Sequence, residues 1–431
     1  MIAYEKIQLK NKLEIYALPV NRNSDVISVD IFYKVGSRNE IMGKSGIAHM
    51  LEHLNFKSTK NLKAGEFDEI VKGFGGVDNA STGFDYTHYY IKCAKKNLDK
   101  ALELFAELMA NLNLKDEEFQ PERAVVLEER RWRTDNNPLG YLYFRLFNHA
   151  FMYHPYHWTP IGFFKDIENW SIEDIKEFHS IYYQPKNAIL LVSGDIENKE
   201  VFELSKKHFE KIKNTKTIPK IHTKEPKQDG AKRIYLHKNS DTELLALAYK
   251  IPNFKHKDIP ALNALSELLG SGKSSLMSEI LIDKLNLIND YYAYVNDCID
   301  ENLFIFICNC NPNVNAEKVE KELLKIIDKL KMGKISQKDL QRVKNNVKSD
   351  FIFSLNNASA VANIYGSYLA RGDINPLLNY EKDIQTLELK DLISCAKRYF
   401  IQENSTTVIL RKDSNGQKYY HWGDDGSYYT V

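Results

Sequence analysis

Segments of this 431-residue chain that lie 216 or 217 residues apart carry matching patterns, and that offset limits its possible folds more than any other feature. The stretch VISVDIFYKV at 26–35 alternates and is rich in β-branched and aromatic residues, which predicts a strand ended by Gly36-Ser37. ELLALAYKI at 243–251 reads the same way, and its Tyr249-Lys250 falls 216 residues after Tyr33-Lys34. Near the end of each half a helix runs into an apolar strand: FHSIYYQPKNAILLVSGDI around Asn187 and AKRYFIQENSTTVILR around Asn404, two asparagines 217 residues apart. A near-constant offset along the chain is what a duplicated domain produces.

Between the repeats, KNTKTIPKIHTKEPKQDGAK at 213–232 is polar, carries proline and lacks apolar periodicity, so it reads as a linker. The expected organisation is therefore an N-terminal domain over 1–212 and a homologous C-terminal domain over 233–431. Each half alternates strands with amphipathic helices, at 98–114, 172–182, 316–330 and 337–355, so each should pack helices against a sheet. Some strands follow one another directly, which argues against a purely parallel sheet. With 43% hydrophobic residues the chain is long enough for more than one core.

Composition excludes several function classes. The 59 basic and 58 acidic side chains nearly cancel, and no block of five or more like charges occurs, so neither a nucleic-acid nor a lipid-headgroup footprint is present. The first residues lack a continuous apolar signal region, and no later run of about 18 apolar residues predicts a membrane span. Five cysteines without a CxxC pair suit buried thiols in a reducing cytoplasm; a periplasmic chain trimmed of its leader would read identically. GSGKSS at 270–275 lacks the first P-loop glycine and follows a helix rather than a strand, so nucleotide binding is not expected.

The sharpest local signal is GIAHMLEHL at 46–54, an H-x-x-E-H with apolar residues at Ile47, Met50, Leu51 and Leu54. On a helix, residues four apart lie one above the other, so His49 and His53 can face one ion with Glu52 beside them. A catalytic zinc needs a third protein ligand, and ERAVVLEE at 122–129 offers carboxylates. Glu122 and Glu129 are seven apart and share a helix face, whereas Glu128 is turned about 100° away, so the three cannot address one ion together. Glu129 is the expected ligand, with Glu122 one shell out and orienting an imidazole such as that of His53.

With these pieces in place the sequence resembles the pitrilysin and insulinase family of inverted-motif zinc peptidases, in its bacterial half-size branch related to mitochondrial processing peptidase. The matching segments are GIAHMLEHLNFKST, GGVDNASTGFDYTHYY at 75–90, ERAVVLEE, HPYHWTPIG at 154–162 and YYQPKNAILLVSGDI at 182–196, in the family's order through the first half. The resemblance implies an α+β fold of two homologous domains, each a mixed, mostly antiparallel sheet packed against helices, together forming half of a clam shell. It implies one Zn2+ per chain on His49, His53 and Glu129, Glu52 as general base toward a zinc-held water, and Glu122 in support. Asn79, Ala80 and Thr82 resemble the family's edge strand, whose backbone pairs with an extended peptide substrate. The implied function is a zinc-dependent endopeptidase acting on unstructured peptides or small proteins.

The second half repeats the fold without the metal site, since PALNALSELLG at 260–270 stands where the zinc helix would be and has no histidine. Active relatives carry an arginine and a tyrosine in the second half that grip the substrate backbone; here LMSEILIDKLNLIND at 276–290 places Ile282 and Asn289 at those positions. Lys284, Tyr291 and Tyr292 are the available substitutes. A dimer is implied, either a homodimer or a heterodimer whose homologous subunit supplies the pair. The alternative function is a peptide-binding or assembly subunit that needs a homologous partner for activity. The aromatic tail GQKYYHWGDDGSYYTV has no assigned role.

Overall fold

A computed structural model describes residues 2–20 and 23–412, together with two short paired strands, Tyr420–Trp422 and Tyr428–Thr430. Apart from the backbone of that pair, the aromatic tail lies outside the described residues.

The first sheet contains β1 (Glu5–Gln8), β2 (Glu14–Pro19), β3 (Val26–Tyr33), β4 (Val77–Thr82), β5 (Thr87–Ala94) and β6 (Ala188–Gly194), in the order β1-β2-β6-β3-β5-β4. The second contains β7 (Lys232–Lys238), β8 (Leu244–Ile251), β9 (Ile288–Asn296), β10 (Asn302–Cys310) and β11 (Ser405–Lys412), in the order β7-β11-β8-β10-β9. One pair in each sheet is parallel, β2 with β6 and β7 with β11; the other pairs are antiparallel. Without β1 the two sheets have the same strand arrangement, and β6 and β11 begin at the two ends of the 217-residue offset. The fold is α+β, two mixed sheets packed with helices.

Central strands such as β6 and β10 are almost wholly apolar because both faces of each sheet are covered. On one face of the first sheet lie α1 (Ile47–Leu54), α2 (Glu66–Gly73), α3 (Leu98–Asn111) and α4 (Asp116–Arg130), which share a core with Ile15, Val29, Ile31 and Leu190. α3 stops short of the expected 114 because Leu112 turns to extended backbone and bridges Thr59. The next helix, α5 (Pro138–Ala150), crosses to the other half: Leu142, Leu146 and Phe147 pack with Ala246, Ala248 and Val408 of the second sheet. The helix Ala358–Ala370 makes the reciprocal crossing, packing Val361, Ala362 and Tyr365 against Phe32, Ile189 and Leu191 of the first sheet. Gly366 permits that approach, since a Cβ there would stand 2.1 Å from the Phe32 ring.

Each half therefore covers one face of the other's sheet. Burying a side chain such as Leu146 or Ile189 is worth about 1.5–3 kcal/mol, and neither half gains that energy alone. The connecting segment is tied down as well: Glu225 accepts hydrogen bonds from the backbone N–H groups of Met152, Tyr153 and His154, and Ile218 packs on the first core. All five cysteines are buried and unbridged.

Candidate metal centre

α1 buries Ile47, Ala48, Met50, Leu51 and Leu54 and turns its opposite side toward α4. Its entry is fixed by Gly46, whose φ of +88° suits glycine and where a Cβ would meet the Ile161 carbonyl at 2.7 Å. The orphan N–H groups of the first turn point at Glu40, whose carboxylate accepts from Gly46 and Ala48 and also from the Trp158 indole, each at 2.8 Å. Burial pushes the Glu40 carboxyl up to about 8 against those three donors.

One turn apart on α1, the His49 and His53 rings stand 4.8 Å between centroids and nearly perpendicular. Glu129 arrives from α4 with one oxygen, Oε2, 3.6 Å from His49 Nε2 and 3.3 Å from His53 Nε2. In a tetrahedral site with bonds of about 2.0–2.1 Å, neighbouring donors lie about 3.3 Å apart; the two distances to Glu129 are close to that spacing and all three ligand atoms lie within 4.8 Å of one another, so the grouping and the donor types suit zinc. Among the described residues this is the group of three or more histidines, cysteines and carboxylates close enough to hold a metal.

Around the three donors lies a second layer. Glu122, two turns before Glu129, takes His53 Nδ1 at 2.8 Å and Lys57 Nζ at 2.6 Å on its other oxygen. Arg133 Nε sits 3.0 Å from Glu129 Oε1. Burial lowers His49 to about 4, with the neighbouring His53 adding to the effect, so its imidazole is neutral. Burial opposes the His53 cation too, but hydrogen bonds to Glu122 and Glu129 outweigh it and carry the group up to about 9. Glu129 and Glu122 are held below the ordinary carboxylate range by those contacts in spite of burial. Glu52, by contrast, is raised by burial, against a hydrogen bond donated by Thr82.

The open edge of the first sheet runs past this group. Among the described residues, β4 pairs with β5 on one side and with no strand on the other. Its alternation sets Asp78, Ala80 and Thr82 half-buried and leaves Val77, Asn79 and Ser81 exposed. The Asn79 side chain accepts from the Ala80 N–H. An open cavity of about 470 Å³ lies between strand and helices, lined by Glu52, His53, Phe56, Lys57, Asp78 and Asn79 among others.

Glu128 faces away and pairs with Arg131. In the second half, Ile282 packs against that half's core and Asn289 is exposed on β9. Lys284 is paired with Glu279, and Tyr291 hydrogen-bonds Gly272 and Ser275, so both are engaged within the second half. Sequence reasoning missed Glu40, Lys57, Arg133 and the bond from Thr82 to Glu52. A signal existed for Arg133, four residues beyond Glu129 on the same helical path; none existed for Glu40.

Among the described residues, the repeated α+β fold sets one His, His, Glu group of the kind that can hold a metal beside the edge strand of the first sheet. Residues 16–151 match the description "Insulinase (Peptidase family M16)" and residues 169–347 match "Peptidase M16 inactive domain". The chain is 57% identical over 411 residues to zinc protease PqqE of Helicobacter pylori, covering 95% of this chain and 93% of that protein. It is 24% identical to the β subunit of the mitochondrial-processing peptidase of Bos taurus, covering 89% and 78% respectively. The crystal structure of a protease from Helicobacter pylori superposes with a TM-score of 0.94 at 56% identity, covering 95% of this chain and all of that one. The periplasmic protease PqqL of Escherichia coli shares the fold, with a TM-score of 0.79 at 19% identity; 95% of this chain covers 48% of that one. The chain belongs to the insulinase family of peptidases, peptidase family M16.

Proposed function

We propose that the chain is a zinc-dependent endopeptidase acting on unstructured peptides or small proteins, with His49, His53 and Glu129 as metal ligands and Glu52 as general base. The observation that carries this reading is the meeting of both Nε2 atoms with one oxygen of Glu129, on the helix that also bears Glu52. The names of relatives, zinc protease among them, support it.

Zinc, when bound, would supply a Lewis acid for the scissile carbonyl and acidify water. Glu52 takes a proton from the attacking water and returns it to the leaving amine, a cycle suited to a carboxyl whose proton affinity is raised by burial. Glu122 holds His53 through Nδ1, fixing the ring so that Nε2 faces Glu129. The free edge of β4 takes an extended substrate as an added strand, with Asn79, Ala80 and Thr82 along it.

A homologous second half-molecule is part of this reading, either a further copy or a relative. The mitochondrial relative is by name a subunit, and the PqqL chain is about twice as long as the part matched. Ile282 and Asn289 favour a heterodimer in which the partner supplies an arginine and a tyrosine. They also sustain the second reading, a peptide-binding subunit inert alone. Cleavage of a quenched, unstructured peptide by the purified chain, beside Glu52→Gln, tests the proposal. Cleavage by wild type and none by a zinc-loaded variant is expected; equal rates overturn the role of Glu52, and an inert wild type that stays inert with homologous partners overturns the enzyme.

A further inference from the structure

The Thr82 hydroxyl donates to Glu52 Oε2 at 2.5 Å, joining the last residue of the open edge strand to the carboxylate beside the histidine pair. We propose that Thr82 is the positioning residue of the base: it occupies one oxygen of Glu52 and leaves the other aimed at the reacting proton. This rests on the reading of Glu52 given above.

The support behind Thr82 is rigid. The strand turns back immediately after it, with Gly83 N–H donating to the Tyr86 carbonyl. The turn is docked on the segment after β3, where Ser37 N–H donates to the Gly83 carbonyl and Arg38 N–H to that of Phe84. Gly36 makes that docking possible, because a Cβ there would stand 2.4 Å from the Gly83 carbonyl oxygen. From the second half, Ile299 N–H donates to Asp85, which also accepts from the buried Tyr156 hydroxyl at 2.5 Å. The turn that follows Thr82 is thus held from three directions, which fixes the backbone that carries the hydroxyl, whereas a glutamate side chain has three torsions to immobilise. A fixed donor on one oxygen removes that freedom before substrate arrives. Because the donor sits on the strand that pairs with substrate, peptide and base share one frame.

Thr82→Val keeps the β-branch and removes the hydroxyl; Thr82→Ser keeps the hydroxyl. Thr82→Val should lower kcat about 10- to 100-fold, with KM within about twofold and zinc content and Tm unchanged, and Thr82→Ser should recover most of the loss. A crystal structure of Thr82→Val should show the Glu52 carboxylate rotated from its position. Should Thr82→Val not fold, Thr82→Ala carries the same expectations. Unchanged kcat, a loss confined to KM, or Thr82→Ser as slow as Thr82→Val overturns the proposal. Wild type no faster than Glu52→Gln overturns the reading beneath it instead.

Discussion

At the scale of single residues, zinc affinity depends on how the imidazoles are held. Glu122 bridges His53 and Lys57, so Glu122→Gln should weaken zinc binding about 10- to 100-fold, read by competition with a chelator of known affinity. Lys57→Met should shift affinity the same way and less, because it loosens Glu122 without removing it. The H-x-x-E-H spacing was enough to set His49, Glu52 and His53 on one side of a helix, because i to i+4 spacing is a local property of the chain. Local periodicity also separates Glu128 from Glu122 and Glu129, since 128 and 129 point about 100° apart, without itself choosing the ligand between Glu122 and Glu129. What spacing could not carry is distance in the fold. Thr82 lies 30 residues from Glu52, and Glu40 reaches α1 from a preceding loop with no pattern to mark it.

At the scale of elements, the histidine-bearing helix α1 depends on its first turn. Gly46→Ala forces a positive φ on a side chain and drives a Cβ into the Ile161 carbonyl. A loss of about 1–3 kcal/mol is expected, with zinc affinity falling alongside, measurable by denaturant unfolding and zinc titration. Gly162 faces the same junction from the other side, with φ +77° and the Ser45 carbonyl 2.5 Å from an added Cβ, which accounts for two glycines quoted from separate motifs. Strands β3, β6 and β8 were legible because alternation and unbroken apolar runs are local signals, and the helix at 172–182 ends where periodicity places it. The wide helical turns Arg131–Asp135 and Ser278–Lys284 were not legible, since one extra residue in a turn leaves no mark on composition.

For the whole molecule, the repeat announced two like sheets, but not that each half lends a helix to the other. An amphipathic helix such as α5 reads the same whichever sheet it covers. That exchange should make the halves unfold as one: a single thermal transition is expected, and Gly366→Val, which sets side-chain atoms against Phe32, should cost about 1–3 kcal/mol of stability and lower the Tm without splitting the transition. Two separate transitions in wild type would contradict the interlock. Lys250 gives a pH test of the same junction. Its amine lies 3.1 Å over the Phe151 ring centre and 3.9 Å from Glu225, and burial pushes it down to about 7 despite that carboxylate. The unfolded amine titrates near 10.5, so charging it disfavours the fold increasingly as pH falls from about 10.5 to 7, and by a constant amount below. Lys250→Met should therefore gain Tm on wild type across that window and hold a level difference at lower pH; a gain that grows instead with rising pH would contradict the burial argument. Anomalous diffraction at the zinc edge from crystals of the purified protein shows whether this chain holds one zinc between α1 and α4. One peak per chain is expected, about 2.0–2.1 Å from Nε2 of His49 and His53 and about 2.0–2.2 Å from a carboxylate oxygen of Glu129; no peak there from zinc-supplemented protein, or a peak on other ligands, would overturn the assignment.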